Sequence, residues 1–278
     1  MKKLSKLLLV LSFALSISSS AFAVTVASWG GAYTESQKLG YGDPTAKKLG
    51  VPINWVDYSG GLSEIKAQKE AGKITWDIID VFAMDTITGC DEGLFEDISS
   101  EIATLGVPGP DGESIAEDME NNGLEYHSGW DCCVPQIFWT YVVFYDPDAF
   151  PGEKPDSMVD FFDTEKFPGK RGIHTWATGV IEKAMVADGV SPNAVPTVLA
   201  NQTGAIDRAF EVMDRIKDDV VFWSAGSQPL ELVKSGEVVM AVAYNGRVGA
   251  ANLAEGENFE YIWEGQVLDQ EYLCFVFL

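Results

Sequence analysis

Short apolar runs alternate with polar helical stretches along this chain, and the alternation occurs twice, once in each half. Residues 24–28 (Val-Thr-Val-Ala-Ser) form a β-like run that stops at Trp29-Gly30-Gly31, and a polar helical stretch is expected over 33–48. A second strand covers 53–58, and after Ser59-Gly60-Gly61 a helix runs over 62–71, with Leu62, Ile65 and Ala67 near one face. Asp77-Ile-Ile-Asp-Val-Phe82 is then apolar almost throughout, interrupted by Asp80, as expected of a strand buried on both faces. This β-α-β-α-β order predicts an α/β fold with a parallel, right-handed sheet covered by helices. The second series begins after Asp146-Pro147-Asp148, with strands over 172–174, 220–223 and 238–244. Its helices fall over 179–188, 204–216 and 229–235; in the second of these, Ile206, Phe210 and Met213 keep the 3.6-residue period of a buried face. Between the halves, Gly106, Pro108, Gly109, Pro110 and Gly112 mark a loop over 99–123. Residues 130–145 then read as two strands bent at Pro135, crossing from one half to the other, and 259–263 and 267–278 read as extended. At 278 residues, 46% of them hydrophobic, the chain is long enough for two lobes, each with its own core.

The N-terminus sets the compartment. Lys2, Lys3 and Lys6 precede an apolar run of 11 residues over 7–17, and Ala21-Phe22-Ala23 offers a small-residue cleavage site. Residues 1–23 are read as a secretory signal peptide, since the run is too short to span a bilayer. No cysteine directly follows the site, so the expectation is a mature protein without a lipid anchor, free and soluble outside the cytoplasm. With the three leader lysines gone, 16 Lys+Arg face 42 Asp+Glu, a net charge of −26. Such a charge repels nucleic acid and anionic membrane surfaces, and favours cations or simply solubility.

Cys90, Cys132, Cys133 and Cys274 form no C-x-x-C pair, and His127 and His174 are the chain's two histidines, so neither a Cys/His zinc site nor another metal site is expected. A bond between neighbouring Cys132 and Cys133 would be strained, so free, partly buried thiols are expected. No nucleophile elbow, phosphate loop, dinucleotide fingerprint or H-E-x-x-H motif is present, and no cofactor is expected. A carboxylate pair could still hydrolyse a glycosidic bond, which keeps a secreted hydrolase as the rival reading.

Aromatic and acidic residues stand at strand ends. Trp29 and Tyr33 follow the first strand, Asp85 the third, Trp176 the strand ending at His174, and Tyr244 the strand over 238–243. In open parallel sheets these carboxyl ends face the ligand crevice. Aromatic faces attract organic cations, and a carboxylate can take an ammonium hydrogen bond in the same cleft; the alternative for each aromatic is a place in the core.

The segments Ala27-Ser-Trp-Gly-Gly-Ala-Tyr-Thr34, Thr75-Trp-Asp-Ile-Ile-Asp-Val81 and Glu92-Gly-Leu-Phe-Glu-Asp-Ile98 resemble the periplasmic solute-binding proteins of ABC importers, in the spermidine/putrescine-binding group. The resemblance continues through Phe167-Pro-Gly-Lys-Arg171, Ala187-Asp-Gly-Val190, Gly236-Glu-Val-Val-Met-Ala241 and Tyr244-Asn-Gly-Arg247. It implies a two-lobed, type II-like binding-protein fold closing like a hinge. Lobe 1 is expected over 24–135 and lobe 2 over 136–266, with 267–278 returning to lobe 1. The strands around Cys132–Val134 and Val267–Asp269 should then lie side by side as the hinge, in place of one uninterrupted sheet. Family members usually continue past this C-terminus through a Pro-Lys-Gly turn; Cys274-Phe-Val-Phe-Leu278 stands there instead, so a C-terminal truncation is expected.

By position, the resemblance assigns cleft aromatics to Trp29, Tyr33 and Tyr244 and the ammonium-binding acid to Glu271. Asp269 lies two residues away on the same strand face, and Asp85 and Asp269 are expected at the cleft's edges. Where polyamine binders place further acids, this chain has Trp176 and Gly179. That departure leaves open a smaller amine, a quaternary amine, or an amine bearing a carboxylate, which Arg247 and Lys170 could meet unless both lie on the surface. The implied function is non-enzymatic: a monomer that binds a polyamine or related small organic cation and delivers it to the permease in the inner membrane. A binder of an amino-acid-derived or neutral solute is the other alternative.

Overall fold

The computed structural model describes residues 23–102 and 132–276; nearly all of the expected leader, most of the loop expected over 99–123, and His127 lie outside them. The first half contributes β1 (Val24–Ser28), α1 (Gly31–Gln37), α2 (Asp43–Leu49), β2 (Ile53–Asp57), α3 (Ser63–Glu70), β3 (Ile78–Phe82), α4 (Ala83–Asp91) and α5 (Ser99–Ile102). The long strand β4 (Cys133–Tyr145) leads to α6 (Met158–Phe161), β5 (Arg171–His174), α7 (Val180–Ala187), α8 (Val195–Asn201), α9 (Ala205–Asp214) and β6 (Val220–Trp223). Then follow α10 (Gln228–Lys234), β7 (Met240–Tyr244), α11 (Asn245–Ala250) and a second long strand, β8 (Glu260–Phe275).

As the alternation predicts, β1 pairs in parallel with both β2 and β3, and β5 with both β6 and β7. The strand order is β2-β1-β3-β8-β4-β7-β5-β6, with β4 and β8 antiparallel at the centre. Hydrogen bonding is thus continuous across all eight strands, and the expected break between two sheets is absent. What separates the two lobes is the packing. One core gathers Ala27, Ile65, Trp76, Ile79, Val81, Phe95 and Tyr272. Another gathers Val143, Phe161, Ile173, Met185, Val212, Trp223 and Met240, and a third, around Phe144, Val238 and Phe259, lies beside it. The crossing strands are long enough to serve both sides. Their register differs from the expected hinge: Cys133 and Val134 face Cys274 and Leu273, whereas Val267–Asp269 face Tyr141–Trp139.

Other differences have local causes. Residues 130–145 were expected as two strands; β4 is one, because a register shift between Pro135 and Ile137 absorbs the proline without ending the ladder. The helix expected over 33–48 is divided by a π-helical turn, Lys38–Gly42, ahead of Pro44 in α2. Helix α4 has a weak helical signature, because Thr86, Ile87 and Thr88 favour strands; Thr86 and Thr88 hydroxyls donate instead to the carbonyls of Phe82 and Met84, one turn back. Helix α9 turns Ala205, Ala209 and Val212 inward, while Ile206 and Phe210 are 43% and 52% exposed. The small alanines let α9 approach α7 closely, which overrides the apparent face of the larger side chains.

The four cysteines are not free thiols: Cys90 bonds Cys132, and Cys133 bonds Cys274. Neighbouring Cys132 and Cys133 each find a partner on another element, which removes the strain that argued against disulfides. Arg171 in the Phe167-Pro-Gly-Lys-Arg171 motif is fully buried, and its guanidinium donates to the carbonyls of Phe161, Asp163, Phe167 and Gly169, tying α6 and the following loop to β5.

Candidate functional site

The carboxyl ends of β1, β2 and β3 from one lobe and β5, β6 and β7 from the other converge on a cavity of about 320 Å³. Its walls are aromatic. Trp29, just past β1, stacks on Phe82 at the end of β3 (centroids 4.5 Å, planes 21° apart) and lies 4.9 Å from Tyr58. From the other lobe, Trp176 meets Trp29 edge-on at 6.4 Å, and Tyr244 meets Trp139 edge-on at 5.1 Å. The turn Ser59-Gly60-Gly61 admits this packing only as glycine at position 60. Gly60 has φ +88°, and a Cβ there would stand 2.6 Å from both the Trp29 and Trp176 rings.

Two charged groups reach this cavity. Glu271 on β8 is 4% exposed, and the Trp29 indole N–H donates to its Oε2 at 3.2 Å. Burial, and then the negative charge of Asp80 beside it, push the Glu271 carboxyl well above the usual carboxylate range. Arg247 on α11 donates from Nη2 to the carbonyls of Trp29 (3.0 Å) and Gly30 (3.2 Å), joining the β7 end of one lobe to the β1 end of the other. Burial lowers its pKa from an ordinary value high enough that it remains a cation at neutral pH.

Behind Glu271 lies a polar layer. Asp80 is fully buried on β3; Gln37 Nε2 donates to its Oδ2 at 2.6 Å, and Gln136 Nε2 at 3.4 Å. Gln37 accepts from the Ser28 hydroxyl at 2.5 Å, Gln136 bonds the Tyr33 and Tyr41 hydroxyls, and the Tyr58 hydroxyl donates to the Asp80 carbonyl. Burial raises the Asp80 pKa to about 6, against the lowering effect of Gln37, Tyr33 and Gln136.

Of the residues expected from sequence, Trp29, Tyr33, Trp176, Tyr244 and Glu271 line this one cavity; Asp85 and Asp269 do not. Asp85 sits in the first turn of α4, where burial raises its carboxyl pKa against the lowering effect of Lys66, and the Asp269 carboxylate accepts from the neighbouring Gln270 N–H at 2.8 Å. Arg247 lines the cavity, while Lys170 is exposed. Phe82, Tyr58 and His174 also line the cavity and are not among the expected site residues, although the strand-end rule reaches all three. Trp139 sits in mid-strand on β4, and only the crossing of β4 between the lobes brings it to the wall. Asp80, read from the sequence as an interruption in a buried strand, has its functional neighbour on β8, which no local pattern signals.

His174 carries a pH prediction. Its Nδ1 accepts the Trp176 backbone N–H at 3.0 Å, so the imidazole is neutral, and burial lowers its pKa to about 4. The unfolded chain takes up this proton near pH 6.5, so stability present above about 6.5 is lost as pH falls toward 4. Melting temperatures followed over this window should decline more steeply for the wild type than for His174→Gln; parallel curves would remove His174 as a cause.

Chemically, the cavity can hold a cation against Glu271 and aromatic faces, and an anion against Arg247. Glu271 is the one carboxyl among the lining residues described, whereas hydrolysis by paired carboxylates needs two flanking the scissile bond. Among the described residues, no group of three His, Cys, Asp or Glu side chains is placed to hold a metal ion, and no helix is long and apolar enough to cross a membrane.

Comparison with known proteins places this geometry. The chain is 34% identical over 266 residues, 96% of its length and 70% of the relative's, to the gamma-aminobutyric acid (GABA)-binding protein of Pseudomonas aeruginosa. It resembles the crystal structure of the PBP MotA from A. tumefaciens B6 in complex with glucopine, at 27% identity and a TM-score of 0.77 over 92% of this chain and 73% of that one. An ABC transporter substrate-binding protein from Bradyrhizobium japonicum USDA 110 matches at 32% identity and a TM-score of 0.73, over 92% and 73%. None of the three is described as a polyamine binder, so the narrower resemblance to the spermidine/putrescine group is not carried by them. The family model for bacterial extracellular solute-binding proteins matches residues 41–276, and the chain belongs to that family.

Proposed function

We propose that this protein is the periplasmic solute-binding component of an ABC importer and that its ligand is a small amine bearing a carboxylate, in place of a polyamine. The observation that carries this reading is that Glu271 and Arg247 reach the same aromatic cavity, both anchored on Trp29, one through its indole and the other through its carbonyl. An ammonium sits against Glu271 and the faces of Trp29 and Tyr244, each face contributing roughly 0.5–2 kcal/mol. The ligand carboxylate meets Arg247, whose planar fork suits it. A diamine would set its second ammonium against that guanidinium, without the acids whose places Trp176 and Gly179 take. The relatives described as binding GABA and glucopine support the same class. In this reading residues 24–135 with 267–278 and residues 136–266 are the two lobes, closing as a monomer on the ligand about β4 and β8 before docking on the permease.

Titration calorimetry with GABA, glucopine, putrescine and spermidine decides the ligand class. Binding of one equivalent of GABA or glucopine, with weaker heats from the two polyamines, is expected. Heat from putrescine and spermidine alone would overturn the zwitterion reading and restore the polyamine one.

A further inference from the structure

Asp80 and Glu271 lie on adjacent antiparallel strands, Asp80 opposite Leu273 and Phe82 opposite Glu271, which makes the two carboxyls diagonal neighbours on one face of the sheet. Both are buried, at 0% and 4% exposure, and they lie within hydrogen-bonding reach of each other. The donors around them are unevenly shared. Gln37 and Gln136 serve Asp80 Oδ2, the Tyr33 hydroxyl also interacts with the Asp80 carboxyl, and Trp29 serves Glu271 Oε2, while Asp80 Oδ1 is buried and makes no hydrogen bond. Two carboxylates so close and so buried repel each other when both are ionised, and one proton between them removes a charge and supplies a hydrogen bond.

We propose that Asp80 and Glu271 share a single proton in the unliganded protein and that the ligand's ammonium expels it. The step balances: the ammonium brings one positive charge to Glu271, the O–H bond of the pair breaks, and the proton leaves to buffer. The pair passes from one negative charge to two as one cation replaces another. The inference rests on the ammonium reading of the cavity and adds its regulation, with Asp80 as a positioning residue that sets the charge of Glu271 from behind it.

The surrounding groups favour this exchange. The hydroxyls of Tyr33 on α1, of Tyr41 in the π-helical turn and of Tyr58 after β2 stay protonated, since burial and Asp80 raise all three, and Tyr244 on β7 behaves likewise through burial and Glu271. Asp269 on β8 adds negative charge near Glu271, and Asp85 on α4, raised by burial against the effect of Lys66, in turn raises Asp269. Arg247 is the cation on the cavity wall, and it is engaged with the Trp29 and Gly30 carbonyls. Protons compete with the ligand, so affinity should rise by about tenfold per pH unit while a full proton is released.

Calorimetry with GABA at about pH 7, in buffers of differing protonation enthalpy, reads the stoichiometry directly; about one proton released is expected. Asp80→Asn keeps an oxygen for Gln37 and offers Glu271 an amide donor, so release should fall to near zero and the pH dependence should flatten. Binding of GABA by the wild type with no proton released would overturn the proposal while leaving the proposed function intact. If none of the four amines binds, the proposed function fails, and carbon-13 NMR of the unliganded protein still decides this point. The Glu271 carboxyl should titrate far above the ordinary glutamate range in the wild type and move down in Asp80→Asn; a carboxyl ionised from about pH 5 upward in the wild type would overturn the shared proton.

Discussion

Glu271→Ala should lower affinity for GABA by roughly 30-fold to several thousand-fold, corresponding to about 2–5 kcal/mol for removing one partner of a buried charged hydrogen bond. The loss is larger than for any aromatic that touches the ligand by its face alone, because a cation–π contact contributes at most about 2 kcal/mol. Trp176→Ala and Tyr244→Ala are therefore the comparators. Trp29→Ala is a compound change, since the Trp29 indole also donates to Glu271 and stacks on Phe82, while the backbone carbonyl that accepts from Arg247 is retained. Glu271→Gln keeps the shape and a donor toward Asp80, and separates lost charge from lost packing. Calorimetric or fluorescence titration measures all of them. Wild-type affinity in Glu271→Ala beside abolished binding in Trp29→Ala would mean that the cavity reads an apolar or neutral solute.

The disulfide between Cys133 and Cys274 should carry the second large effect. It joins the start of β4 to the end of β8 at a directly paired position and closes 141 residues of chain. The chain-entropy relation gives about 5 kcal/mol for a loop of that length, and about 4 kcal/mol for the 42 residues closed by Cys90 and Cys132. Reduction should accordingly lower the melting temperature by about 10 °C or more, at roughly 2–4 °C per kcal/mol for a chain of this size. Cys133→Ser should reproduce most of the loss with Cys90 and Cys132 still joined. An unchanged melting temperature under reductant would show that the strand ladder alone holds these ends. The dependence suits an oxidising compartment, where such bonds persist.

Much of the fold was legible residue by residue. The apolar runs that became β1, β3 and β6 have a two-residue or continuous pattern that the chain carries locally, and glycine marks where they turn. The strand-end aromatics Trp29, Trp176 and Tyr244 were legible for a related reason: in a parallel sheet, chain direction alone says which end of a strand opens to the crevice. Where patterning misled, a second force had entered, as in α9, where Ala205 and Ala209 pack inward because close approach to α7 outweighs burying Phe210.

What the sequence by itself determined is therefore the alternation of elements, the side of the sheet on which the aromatics gather, and the acidic charge. Tertiary structure alone decided which distant groups meet: Cys133 with Cys274, Arg247 with the Trp29 carbonyl, Asp80 with Glu271, and Trp139 with the cavity wall. Strand and helix propensity act over a few neighbouring residues. Antiparallel register between β3, β8 and β4 joins residues more than a hundred positions apart, and it buries two ordinary carboxyls, Asp80 and Glu271, on one face of the sheet.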